Sequence, residues 1–215
     1  MLPGLFLPVG SDMPSDLHTI LLDAVSPFDE GVSALKLRAL RDPRGDLSRP
    51  NRTAAVLVPI LDKPEPEVLL TVRSHHLPQH PGQVSFPGGA VDRSDRSAIS
   101  TALREAEEEI GLDFSQVSPL GFLDRLDTIS DYRVLPVVGL VRSSFVWRPD
   151  EREVAEVFTV PLELAVSYND YSHEEISRDG KTFTISSLQW QGHRIWGVTA
   201  NILLNLGNRM KNSGR

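Results

Sequence analysis

The sequence predicts a mixed α/β domain, and three observations carry that reading. Strand-like runs rich in β-branched residues dominate the middle of the chain. One strongly amphipathic helix is inserted among them, and a second closes the chain. The strands and helices do not alternate regularly, so the pattern is not that of a parallel βαβ array. With 215 residues, 40% hydrophobic and 24% charged, the chain can bury a sizeable core without disulfides or other staples.

The elements follow in order. Residues 1–14 are rich in proline, and Ser15 is placed to cap a short helix carrying Leu17, Ile20, Leu21 and Leu22. A second helix is expected over about Asp29 to Leu40. RDPRGDLSRPN then interrupts all regular structure, which sets the division: 1–50 an N-terminal helical extension, 51–215 the main domain. Thr53–Leu61 and Glu67–Ser74 read as strands joined by the turn DKPEP. A helix is expected over about Asp95–Ile110, with Ser94 as its cap, Gly111 as its stop and Ile99, Ala102, Leu103, Ala106 and Ile110 as its apolar stripe. Further strands are expected at Leu120–Leu126, Val134–Val141 and Val154–Val160, with a short helix after Pro161. A hairpin region follows at Lys181–Leu188 and His193–Trp196, and a final helix over about Val198–Met210.

Composition narrows the function. A net charge of -7 argues against binding nucleic acid by neutralising phosphates. The longest apolar runs, such as Ala54–Leu61, fall far short of the ~20 residues a membrane helix needs. The apolar start MLPGLFLPVG lacks a basic flank and is not read as a signal peptide. With no cysteine, thiol chemistry and thiolate metal sites are excluded, which suits a reducing cytoplasm; the C-terminal NSGR is not a peroxisomal address. No Gly-x-Gly-x-x-Gly or Walker-type phosphate loop is present.

The acidity is concentrated. Between Asp92 and Asp113 seven acids stand against three bases. Glu105, Glu108 and Glu109 lie three and four residues apart and share one helical face, while Glu107 points elsewhere. Like charges at these spacings destabilise a helix, and near its C-terminus the macrodipole disfavours anions further. Carboxylates set against two local rules call for a compensating cation. An all-oxygen ligand set suits Mg2+ or Mn2+ rather than zinc. Arg104 reaches Glu108 at i+4 and can orient it. Gly88 and Gly89 permit close approach of the backbone to a metal or a phosphate.

The segment FPGGAVDRSDRSAISTALREAEEEIGL resembles the box of the Nudix hydrolases, G-x5-E-x7-R-E-U-x-E-E-x-G-U, with U a bulky apolar residue. Gly89 opens the match, and Arg104, Glu105, Glu108, Glu109, Gly111 and Leu112 fill its second half. Asp95 stands where the box has glutamate, and the gap from there to Arg104 is one residue longer. The coenzyme A pyrophosphatase branch has a similar longer box. That branch also carries an upstream signature, matched here by LLTVRSHHLPQHPGQVSFPGG, with Leu69, Leu70, Thr71, Arg73, Ser74, Gly82, Phe86, Pro87, Gly88 and Gly89 in register. Pro78 replaces an arginine of the pattern.

The resemblance implies a Nudix fold, a mixed β-sheet sandwiched between helices. It implies metal-dependent hydrolysis of the diphosphate of coenzyme A or its derivatives, giving 3′,5′-ADP and a phosphopantetheine. Glu105, Glu109 and Glu108 would hold Mg2+ or Mn2+, with Arg104 beside them. Glu108, or second Glu153, would act as base, and Arg73, Gly88 and Gly89 would meet the substrate. The alternatives are a Nudix pyrophosphatase acting on NADH, ADP-ribose or dinucleoside polyphosphates, and a non-hydrolytic ligand-binding module. Oligomeric state is left open.

Weaker candidates are His75, His76 and His80, whose spacing rarely makes a metal site but suits donors to phosphate. Trp147, Trp190, Trp196, Phe122 and Tyr132 could stack on adenine, although core packing is the default. The basic residues Arg194, Arg209, Lys211 and Arg215 read mainly as charge balance.

Overall fold

The computed structural model describes residues 13–27, 52–128, 132–142, 144–178 and 181–213. The helix expected over Asp29–Leu40 lies outside them. The first described element is helix α1 (Met13–Ala24). Strands β1 (Arg52–Asp62), β2 (Glu67–Arg73), β3 (Val84–Ser85) and β4 (Gly88–Ala90) follow. Helix α2 (Ala98–Ile110) precedes β5 (Val117–Phe122), β6 (Leu126–Asp127), β7 (Tyr132–Arg142) and β8 (Val154–Pro161). After the single turn α3 (Leu162–Ala165) come β9 (Ser172–Arg178), β10 (Lys181–Trp190), β11 (His193–Trp196) and α4 (Gly197–Ser213).

The main sheet runs in the order β3-β2-β1-β7-β5, with β4 pairing β1, β6 pairing β7 and β8 pairing β2. It is mixed. β1 and β7 are parallel along their whole length, from Arg52↔Tyr132 to Asp62↔Arg142, while the other pairs are antiparallel. A central strand covered on both faces needs apolar side chains on both, which is why TAAVLVPIL reads as one continuous apolar run. Ala55, Leu57 and Leu61 pack with Ala98, Ala102, Ala106 and Ile110 of α2. Val58 and Ile60 join Leu17 and Leu21 of α1 and Leu203 and Leu206 of α4 on the other side. Helices therefore lie on both faces of the sheet.

Helix α2 begins three residues later than the sequence suggested. Ser97, not Ser94, is its cap: Ser97 Oγ accepts from the Ser100 amide at 3.1 Å, and Ser100 Oγ accepts from the Ser97 amide at 2.8 Å. Asp95 is thereby left outside the helix, ahead of the cap. The expected stop is correct. Gly111 has φ 71°, and its amide donates to the Glu107 carbonyl at 2.9 Å while that of Leu112 donates to Ala106 at 3.3 Å. Two further carbonyls at this helix end are met by the β7–β8 loop, Arg148 N donating to Ile110 and Asp150 N to Glu109.

Other boundaries shifted. α1 starts at Met13, ahead of Ser15, and Leu22 is exposed. The single strand expected at Leu120–Leu126 is two, β5 and β6, separated by Leu123–Arg125. β9 was not anticipated, because SHEEISR carries too little apolar character to signal a strand.

Candidate active site

The site is built where β4 passes under the C-terminal half of α2. β4 pairs with β1 through Ala54↔Ala90, Ala55↔Gly89 and Val56↔Gly88. A Cβ on Gly88 would lie 2.5 Å from the Ala55 carbonyl oxygen, and one on Gly89 2.5 Å from the Glu105 carboxyl carbon. Only glycine lets this strand lie so close beneath the helix, and the Gly88 amide then donates to Glu109 Oε2 at 3.3 Å.

The three glutamates do not share one environment. Glu109 is 5% exposed, and burial, with Glu105 and Glu153 adding like charge, pushes its carboxyl up to about 8. Glu105 is raised too, by burial first, although Arg104 works against it. Glu108 shares the helical face but is 60% exposed, and it meets Arg104 Nη1 at 2.9 Å as the i+4 spacing required. Glu107 is exposed and turned away.

Arg104 does more than reach Glu108. Its guanidinium grips Asp95 bidentately, Nε to Oδ1 at 3.1 Å and Nη2 to Oδ2 at 3.1 Å, and touches Glu105 Oε1 at 2.9 Å. Nη2 also donates to the Ala90 carbonyl at 3.4 Å. Asp95 is itself buried and accepts from the Asp92 amide at 2.8 Å and from Thr101 Oγ1 at 2.9 Å. Burial alone would raise its carboxyl, but these hydrogen bonds, Arg104's foremost, hold it below the ordinary range. Asp95 was singled out in the sequence only as a departure from a motif. Its contact with Arg104 makes it the anchor of the site's one central cation, and Thr101 was missed altogether.

Arg73 ends β2 at a register shift against β8, and its Nε is buried with no hydrogen-bond partner. Its positive charge acts on Glu109. Glu153 stands beside it: the Ser74 amide donates to the Glu153 carbonyl at 2.8 Å, and the Glu153 charge is felt by both Glu105 and Glu109. Residues from β2, β4, α2 and the start of β8 thus meet in one place, 73 to 153 in the chain.

The weaker candidates lie elsewhere. His75, His76 and His80 are exposed on the loop between β2 and β3. Trp190 packs against the core and donates from Nε1 to Thr159 O at 2.9 Å, and Phe122 and Tyr132 also pack against the core. Trp147 and Trp196 are on the surface. Arg209 ties α4 to the segment after α1, through Asp124 Oδ1 at 2.9 Å, Ser26 Oγ at 2.9 Å and the Ala24 carbonyl. Arg194 lies over the Trp196 ring, and Arg215 is outside the described residues.

Whether a cation fits can be judged from the donors. Glu105 and Glu109 are hard oxygen donors held together at a cost in burial and repulsion, and no basic side chain pairs directly with Glu109 among the contacts described. As they stand, no three acidic or histidine side chains among the described residues converge to hold an ion, since Arg104 draws Glu105 and Glu108 toward itself. The donor chemistry fits a hard divalent ion.

Known proteins share this arrangement of sequence. The family model described as NUDIX domain matches residues 51–180. Relatives from Yersinia pestis and Yersinia pseudotuberculosis, each described as "Uncharacterized Nudix hydrolase NudL", are 45% identical over 163 residues, 76% of this chain and 82% of theirs. Among solved structures, a Nudix hydrolase from M. smegmatis, RenU, aligns with 24% identity and a TM-score of 0.45, covering 53% of this chain and 72% of that one. A C. elegans Ap4A hydrolase aligns with 22% identity and a TM-score of 0.45, over 51% and 80%. With more than half of its length matched by the domain and close relatives along most of it, the chain belongs to the Nudix hydrolase family.

Proposed function

We propose that this Nudix hydrolase cleaves the diphosphate of coenzyme A or its derivatives, releasing 3′,5′-ADP and 4′-phosphopantetheine or its acylated form. The observation that carries the reading is Arg73. The upstream signature LLTVRS…FPGG ends in the two glycines beneath Glu105 and Glu109, and its arginine offers a buried, unpartnered Nε beside them. A guanidinium left in that state is suited to a phosphate oxygen.

Glu105 and Glu109, with Glu108 completing the set, would hold Mg2+ or Mn2+. Bound there, the ion supplies charge neutralisation at the diphosphate and acidifies a coordinated water. The rest is the work of the chain. Arg73 grips the diphosphate from the β2 end, and the Gly88–Gly89 strand gives it room to approach. Arg104, fixed by Asp95, sets the direction of Glu105 and Glu108. Water attacks one phosphorus in line, its proton passes to a carboxylate, and the bridging oxygen leaves with the other phosphate. Glu108 is the first candidate for that carboxylate. Glu153 is the second, favoured by one observation: its charge reaches both buried glutamates, whereas Glu108 is turned toward Arg104 and solvent.

The test is incubation with coenzyme A and Mg2+ or Mn2+, products read by mass spectrometry, beside NADH, ADP-ribose and diadenosine polyphosphates. Release of 3′,5′-ADP and phosphopantetheine, abolished by EDTA, is expected, and Pro78 is then a tolerated departure. Cleavage of another diphosphate in place of coenzyme A would discard the substrate and keep the chemistry. Arg73→Ala is expected to lower kcat/KM chiefly through KM, and an unchanged kcat/KM would make Arg73 structural.

A further inference from the structure

The small sheet β11-β10-β9 has one face on the core and one face in solvent. Ser186, Leu188 and Ile195 are buried on the inner side. The register arranges the outer side in rows. Ile176 pairs with Phe183, then Glu174 with Ile185, then Ser172 with Ser187 and Trp196, and last Gln189 with Arg194. Ile176, Phe183 and Trp196 are 40%, 48% and 38% exposed, three of the largest exposed apolar side chains among the described residues on a single face. Toward the tip Thr182 and Thr184 on the other face are exposed as well, so this part of the hairpin projects without a covering layer. β9 is an edge strand, with every residue from Ser172 to Ser177 exposed. A bare two-stranded ribbon is marginal in water, and an exposed aromatic pair on it lowers its solubility further.

The stripe has polarity. One end is apolar (Ile176, Phe183), the other cationic (Arg194, whose guanidinium lies 5.4 Å over Trp196), and the acid Glu174 sits between. Such a surface is its own complement when turned end for end. We propose that it is a self-association surface, and that its occupant is a second copy of this chain related by a two-fold axis between the Ile185 and Ser187 rows. That operation sets Phe183 against the partner's Arg194 and Ile185 against the partner's Trp196. It also brings Glu174 within one row of the partner's Arg194, so that each copy neutralises the other. Aromatic and arginine side chains at the centre of a closed, isologous contact are what stable interfaces use. A partner of different chemistry would not require both charges, in this order, on the same face.

Sedimentation equilibrium of the full chain over a concentration series tests this. The expected species is a dimer of twice the chain mass. Phe183→Asp is expected to raise the dimer dissociation constant at least about tenfold. Glu174→Arg and Arg194→Glu are each expected to weaken the dimer, and the double reversal is expected to restore it. A monomer at every concentration overturns the proposal. So does a dimer indifferent to Phe183→Asp, or single charge reversals that the double variant fails to rescue.

Discussion

The two ends of α2 obey opposite rules. At its N-terminus each polar group has a partner supplied by its neighbours: Ser97 and Ser100 cap each other, and Thr101 and the Asp92 amide hold Asp95. At its C-terminal half Glu105 and Glu109 are buried side by side near a helix end that disfavours anions, with their carboxyls raised. The apolar stripe is the same at both ends, Ala98, Ala102, Ala106 and Ile110. The difference teaches that the first turns are organised for stability, and that the last ones keep an unfavourable charge arrangement that the rest of the helix must sustain.

Breaking the costly end should separate activity from stability. Glu109→Gln is expected to cut turnover at least ~100-fold while leaving the fold intact. Its stability in EDTA should change in the opposite sense. The folded carboxyl titrates near 8 and the unfolded one near 4.5, so its contribution to stability is fully present below about 4.5 and is lost as pH rises through about 8. Thermal melts of the metal-free protein from roughly pH 5 to pH 9 should therefore fall for the parent and stay flatter for Glu109→Gln, which at the alkaline end should be the more stable by roughly 2–4 kcal/mol. Parallel pH curves would show that Glu109 is not held at this cost.

A smaller perturbation sharpens the same contrast. In Gly89→Ala the new methyl would meet the end of the flexible Glu105 side chain, which can move. Turnover should drop by about tenfold or more through the displaced carboxylate, with little change in melting temperature. Asp95→Ala acts at the junction of the two ends. Releasing Arg104 and removing a buried hydrogen-bonded carboxylate should cost on the order of 2–3 kcal/mol in chemical denaturation and lower activity as well. Smallest is Ser97→Ala at the stable end: about 1 kcal/mol of stability, with turnover per folded molecule unchanged.

What the sequence made legible follows from where the deciding forces act. β1 and β2 were readable because burial is written into their apolar runs, and the end of α2 because Gly111 is a local signal. The start of α2 was not, since SDRS offers two serines and the choice depends on Ser100 closing a box with Ser97. Periodicity grouped Glu105, Glu108 and Glu109 on one face. It could not say that Glu109 would be buried under Gly88 while Glu108 stayed in solvent, because β4 and its pairing with β1 decide that. Asp95 and Thr101 were invisible as a unit for the same reason: their partner Arg104 is two turns away on a helix whose docking fixes the contact.

The parallel ladder between β1 and β7 also bears on when the active centre comes into being. Its partners, Arg52 with Tyr132 at one end and Asp62 with Arg142 at the other, stand 80 residues apart in the chain. Closing so large a loop has to precede the contacts that reward it, which slows folding. On the ribosome, β1, β4 and α2 emerge well before β7 supplies the other side of the central strand. The glycine strand and its two glutamates therefore reach their final positions late, and until then the apolar run of β1 is the segment of the nascent chain most in need of protection from aggregation.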